Sequence, residues 1–134
     1  MNQAHPNYEV IIVNDRSSDK SLQILTAAAL KHEKLQFINI TELPANWTGK
    51  KFALKKGIEA ANHDIVLLTD ADCVPSSPNW VSMMSQQFGT KTQFVLGFSP
   101  YLQMEGLLNQ LIQFETLWTG IQYLSFALAE HPYM

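Results

Sequence analysis

"YEVIIVNDRSSDKS", residues 8–21, sets an apolar, β-branched run directly against a polar, turn-forming one. The run 8–13 predicts a buried strand, because Val and Ile are stiff at χ1 and pack well on a pleated surface. The polar run "NDRSSDKS", 14–21, predicts a loop, with Ser18 or Asp19 capping a helix over 20–31. The alternation then repeats. "LQFINI", 35–40, predicts a second strand, Pro44 and Gly49 mark a loop, and 50–62 predicts a basic helix. "IVLLT", 65–69, predicts a third strand, and Pro75 and Pro78 break the chain before a short helix over 79–88. "QFVLGFS", 93–99, predicts a fourth strand, and a long helix over 104–130 ends the series. Strands alternating with helices predict an α/β fold: a mostly parallel, Rossmann-like sheet of about four strands flanked by helices. No repeat or low-complexity stretch divides residues 1–134, which read as a single domain.

Composition narrows the function classes. The net charge of −3 offers no basic field for nucleic acid. Lys50, Lys51, Lys55 and Lys56 form one local basic cluster, suited to a small anion. A single cysteine, Cys73, excludes an internal disulfide and points to a reducing compartment. No run of about 18 apolar residues is uninterrupted, so no bilayer span is expected. The most apolar segment, 107–129, carries Asn109, Gln110, Gln113, Glu115 and Gln122, and reads as a helix that needs cover on several sides.

The acidic residues fall at predicted strand ends. In parallel α/β sheets ligands collect outside the carboxyl ends of the strands. Asp15 lies just past the first predicted strand, and Asp70 and Asp72 just past the third, so neighbouring strands would put three carboxylates on one rim. Two like charges in "DAD" repel unless something positive joins them. A D-x-D pair suits a hard divalent cation, Mg2+ or Mn2+, with open positions left for water and phosphate oxygens. Asp15 is placed to accept a hydrogen bond from a nucleobase imide or a ribose hydroxyl. Simpler roles exist for each: an Asx-turn or a cap for the helix after Pro78 at the D-x-D pair, turn chemistry plus an N-cap over 13–19, a solvated face for the lysines. The four histidines, His5, His32, His63 and His131, lack metal-ligand spacing and read as surface residues.

Taken in order, "YEVIIVNDRSSDKS" and "GKKFALKKGIEAANHDIVLLTDADCVP", residues 49–75, resemble family 2 glycosyltransferases of the GT-A fold. The likeness runs over about residues 8–100. It implies a nucleoside-diphosphate sugar donor, a UDP-sugar first among them, a Mg2+ or Mn2+ ion, and inverting transfer to an acceptor hydroxyl. It also implies donor-binding roles for Asp15, Asp19, Lys50, Asp70 and Asp72. Asp15 would meet the nucleobase, Lys50 would sit near the sugar nucleotide, Asp70 would touch ribose or sugar, and Asp72 would hold the metal. Three residues depart from the pattern: Asn14 replaces the first of paired aspartates, Arg16 stands where glycine is usual, and Lys55 where asparagine is frequent.

The resemblance further implies an internal fragment of a longer enzyme. A strand and helix would precede "NQAHPNYEV", and the acceptor region with the general base would lie beyond Met134, leaving no catalytic base within the chain. Such a fragment is expected to bind donor weakly or not at all and to transfer no sugar. It is also expected to self-associate through an unpaired strand edge and the long helix. The parent would be cytoplasmic, or seated on the cytoplasmic face of a membrane.

Two readings compete. "DADCV", 70–74, also fits a haloacid-dehalogenase-type phosphatase with Asp70 as nucleophile and Asp72 as acid/base. That chemistry needs a further downstream acidic pair at a strand end, and the acids available after Asp72 are Glu105, Glu115 and Glu130 alone. A non-catalytic sugar-nucleotide-binding module is the other alternative.

Overall fold

The computed structural model describes residues 2–131. Two β-branched runs find each other in it. Strand β1, Val10–Asp15, pairs in parallel with β2, Leu35–Ile40, in a register from Val10↔Leu35 to Asp15↔Ile40. Helix α1, Ser21–Ala29, connects them and packs against β2. Helix α2, Gly49–Glu59, lies on both strands, and a Cβ built on Gly57 would come within 3.3 Å of Val13 Cγ2. A short α3, Trp80–Ser85, and a long α4, Leu107–Leu128, complete the order.

The sheet is smaller than the sequence suggests. The α/β class and the parallel pairing hold, but the segments 65–69 and 93–99, expected as a third and a fourth strand, join no ladder among the described residues. Apolar, β-branched composition supplies propensity, whereas a strand exists through hydrogen-bonded pairing with a neighbour. Without it, Ile65, Val66 and Leu68 stay 40–55% exposed. β1 in turn runs further than expected, through Asp15 rather than ending at residue 13. The buried amide of Asn14 explains the extension: its Nδ2 donates to Asn39 Oδ1 at 2.7 Å, across the register pair, while the Ser17 hydroxyl donates to its Oδ1.

The chain divides into two compact units, Met1–Gln93 and Phe94–Met134. In the first, Leu35, Ile40 and Asn14 are the buried residues of the β1–β2 pair. Non-local ties close this unit. Ala4 N–H donates to the Pro78 carbonyl, and the Gln3 side chain bridges the Ser77 carbonyl and the Val81 N–H. The Glu9 carboxylate accepts from the backbone N–H and side-chain amide of Asn62 and from Gln36 Nε2, tying the exit of α2 to the sheet.

In the second unit α4 starts at Leu107 rather than 104. The Asn109 side chain accepts from Met104 N–H and donates to the Leu102 carbonyl, which holds the lead-in as a loop. Gly120 is the buried residue of α4, and the Phe98 ring lies where its Cβ would be, with Cε2 at 2.6 Å. The helix ends with Glu130 at φ 62° and with Glu130 N–H and His131 N–H bonded to the carbonyls of Ala127 and Phe126, a Schellman-type stop. Among the described residues, no helix is long and apolar enough to cross a membrane.

Candidate functional site

The last residue of β1 and the first residues of α2 meet at one end of the sheet. Asp15 closes the strand, and the chain turns there through Arg16 at φ 53°, a left-handed conformation that bulky side chains rarely adopt. The turn folds the Arg16 guanidinium back on its neighbour. Nε donates to Asp15 Oδ1 at 2.7 Å and Nη2 to Oδ2 at 3.1 Å, so both carboxylate oxygens are engaged. Those hydrogen bonds hold the Asp15 carboxyl below the usual aspartate range.

Gly49, the first residue of α2, lies against this pair. A Cβ there would stand 2.7 Å from Asp15 Oδ2 and 2.8 Å from Arg16 Nη2, so a larger residue would force the pair to move. Its neighbour Lys50 reaches the other way, and Nζ makes an ion pair with Asp70 Oδ1 at 3.0 Å. That bond, and next the charges of Asp70 and then Asp72, raise the Lys50 ammonium above its ordinary value. Thr48, the N-cap of α2, is extended and its side chain makes no capping bond, leaving the first-turn N–H groups without that partner.

Asp15 thus lies against Gly49 and Asp70 pairs with Lys50, on two consecutive residues of one helix start. Asp19 is engaged elsewhere: its Oδ1 accepts from Ser21 N–H at 2.9 Å at the start of α1. The Ser21 hydroxyl first, and then that N–H, hold its carboxyl below the usual range. The basic cluster splits. Lys55 and Lys56 pair with Glu59 along α2, as a solvated helix face does.

Asp70 and Asp72 offer oxygen ligands alone, the right kind for a hard cation. No group of three or more metal-ligating side chains occurs among the described residues. Two carboxylates alone would leave most of such an ion's shell to water or phosphate oxygens. Among the described residues Asp72 makes no ion pair, and its Oδ1 accepts a long hydrogen bond from Cys73 Sγ at 3.9 Å.

Two features of the site were not assigned from sequence. Arg16 was legible only as an unusual residue, since the backbone conformation that turns it onto Asp15 leaves no local signature. Gly49 was legible only as loop punctuation, because its close approach to Asp15 is set by how α2 docks on β1.

The model of glycosyl transferase family 2 matches residues 1–131. The chain belongs to this family. Curated glycosyltransferases agree. A probable glycosyltransferase, YdaM, of Bacillus subtilis is 36% identical over 67 residues, half of this chain and 16% of that protein. The poly-beta-1,6-N-acetyl-D-glucosamine synthase of Staphylococcus epidermidis is 36% identical over 70 residues, 52% of this chain and 16% of the synthase. The dolichyl-phosphate beta-glucosyltransferase ALG5C of Trichomonas vaginalis is 35% identical over 65 residues, 48% of this chain and 18% of that enzyme. The chain spans less than a fifth of the length of these relatives. No solved structure matches it. Family 2 membership also removes the reason for reading "DADCV" as a phosphatase motif.

Proposed function

We propose that this chain carries the donor-binding part of a glycosyltransferase that uses a nucleoside-diphosphate sugar, with a UDP-sugar as the first candidate. The observation that carries the reading is the gathering of Asp15, Arg16, Lys50 and Asp70 around the start of α2, with Asp72 two residues from Asp70. The site has an acceptor for a base or ribose N–H or O–H at Asp15. It has cations and first-turn helix N–H groups for the diphosphate, and carboxylates for sugar, ribose and metal. Asp72, with Asp70 beside it, would hold a Mg2+ or Mn2+ ion, whose chemistry is Lewis-acid stabilisation of the departing diphosphate. Asp19 accepts from Ser21 N–H at the first residue of α1.

The reaction that goes with this reading is a displacement at the anomeric carbon. The acceptor oxygen bonds to that carbon as the sugar–phosphate bond breaks, a base takes the acceptor proton, and the configuration inverts. Lys50 and Arg16 supply positive charge where the leaving diphosphate gathers negative charge. The relatives named for dolichyl-phosphate glucosylation and poly-N-acetylglucosamine synthesis make a lipid-linked or polysaccharide product the natural proposal for the whole protein. The exposed apolar side chains of α4 favour self-association or membrane-surface contact of the parent.

Calorimetry of the full-length protein with UDP and Mn2+ tests the reading. Metal-dependent binding that Asp72→Ala weakens at least tenfold supports it. Binding indifferent both to Mn2+ and to Asp72→Ala removes the metal from the proposal, and no binding of UDP at all removes the donor.

A further inference from the structure

The Asp15–Arg16 pair does something that an ordinary exposed ion pair does not. It engages both oxygens of the carboxylate proposed to meet the nucleobase. It is held by a residue at φ 53°, where glycine would be free of strain. An exposed pair of this kind contributes little to stability. The guanidinium also lies close to a second element: Nη2 is 2.8 Å from where a Cβ on Gly49 would sit, at the first residue of α2 and beside Lys50 in sequence. That is where an anion would meet the start of the helix.

We propose that Arg16 couples recognition of the donor's two ends by exchanging partners. This rests on the donor-binding reading above. Without donor, Arg16 closes Asp15. When a diphosphate arrives at the start of α2, the guanidinium turns from the carboxylate to the phosphate oxygens, a bidentate partner of equal geometric fit. Asp15 is then free to accept an N–H or O–H from the nucleoside. A nucleoside lacking phosphates must break the Arg16–Asp15 pair with no replacement partner, so the site discriminates against it. The side chain has room for this movement, being 41% exposed.

The consequence is a crossover that a merely structural role does not produce. In the full-length protein, titrated by NMR or calorimetry in the presence of Mn2+, Arg16→Gly is expected to bind uridine several-fold more tightly than the unaltered protein. The same variant is expected to bind UDP about tenfold more weakly, the loss of one charge-assisted partner. Arg16→Lys keeps a charge without the fork, and is expected to fall between the two for UDP. Glycine suits the left-handed backbone, so a melting curve should show the variant folded. If Arg16→Gly leaves UDP affinity unchanged, or fails to gain affinity for uridine, the partner exchange is wrong. The donor reading survives that result provided the unaltered protein binds UDP and Asp15→Asn weakens it. If the unaltered protein binds neither probe, both ideas fall together.

Discussion

Arg16 and Glu9 show how much depends on single side chains in a small sheet. At φ 53°, Arg16 carries a backbone conformation that glycine adopts without penalty. Arg16→Gly should therefore raise the melting temperature, by roughly 3 °C once the lost exposed ion pair is set against the relief. A clear fall in melting temperature would show that the pair with Asp15 matters more than the strain. Glu9 receives hydrogen bonds from three donor groups, one on β2 and two on Asn62 past the end of α2. Glu9→Ala leaves those donors to water and should cost about 1 kcal/mol in urea unfolding, discounted for its partial exposure.

Acid titration reads the same groups. Glu9 is held low first by the Asn62 backbone N–H, and Asp15 first by Arg16. A depressed carboxylate stabilises the fold above its unfolded value and loses that contribution as pH falls through its folded value. Stability should thus decline as pH drops below the ordinary glutamate value of 4.5, and the decline should be shallower in Glu9→Gln. Lys50 is shifted in the opposite sense, upward, and its contribution is lost only as pH rises beyond the ordinary lysine value of 10.5.

Helices and strands were unequally legible. The β2 limits agree with the expected 35–40, and α1 and α2 fall close to their expected ranges, because periodicity, caps and β-branching act within a few residues. The segments 65–69 and 93–99 carry the same local signal yet remain unpaired, because a ladder needs a partner that composition does not name. The extension of β1 to Asp15 has a similar non-local cause, the Asn14–Asn39 bond. Asn14→Ala would strip Asn39 of that donor inside the pair and should cost about 2 kcal/mol. Asn14→Asp, the residue more usual in the resembling pattern, keeps the Ser17 bond and lets Asn39 turn its amide to donate, so it should cost less.

In α4, Gly120→Ala should gain about 1 kcal/mol in helix propensity and lose more to the Phe98 ring, 2.6 Å from the added carbon. Placed on a Phe98→Ala background, the same substitution should become neutral or stabilising, and the double-mutant cycle measures the difference.

Across the molecule, apolar surface is abundant. Among the described residues no side chain is less than 2% exposed, while Leu107, Leu108, Phe114 and Trp118 on α4 are each more than half exposed. Surface of that kind drives association in water. Light scattering of the 134-residue chain should show concentration-dependent growth in mass, reduced by Leu111→Lys with Trp118→Lys. A monodisperse monomer at high concentration would mean that these side chains find cover in some other way.

The order and spacing of short motifs carried the family, the α/β class and the candidate acids, because each is written in neighbouring residues. Contacts between distant residues decided the rest: the two-stranded extent of the sheet, the tie from Gln3 to Val81, and the seat of Asp15 against Gly49. Arg16 stands between the two. Its identity is a matter of sequence, but its hold on Asp15 arises only when the turn adopts a left-handed backbone and α2 docks beside it.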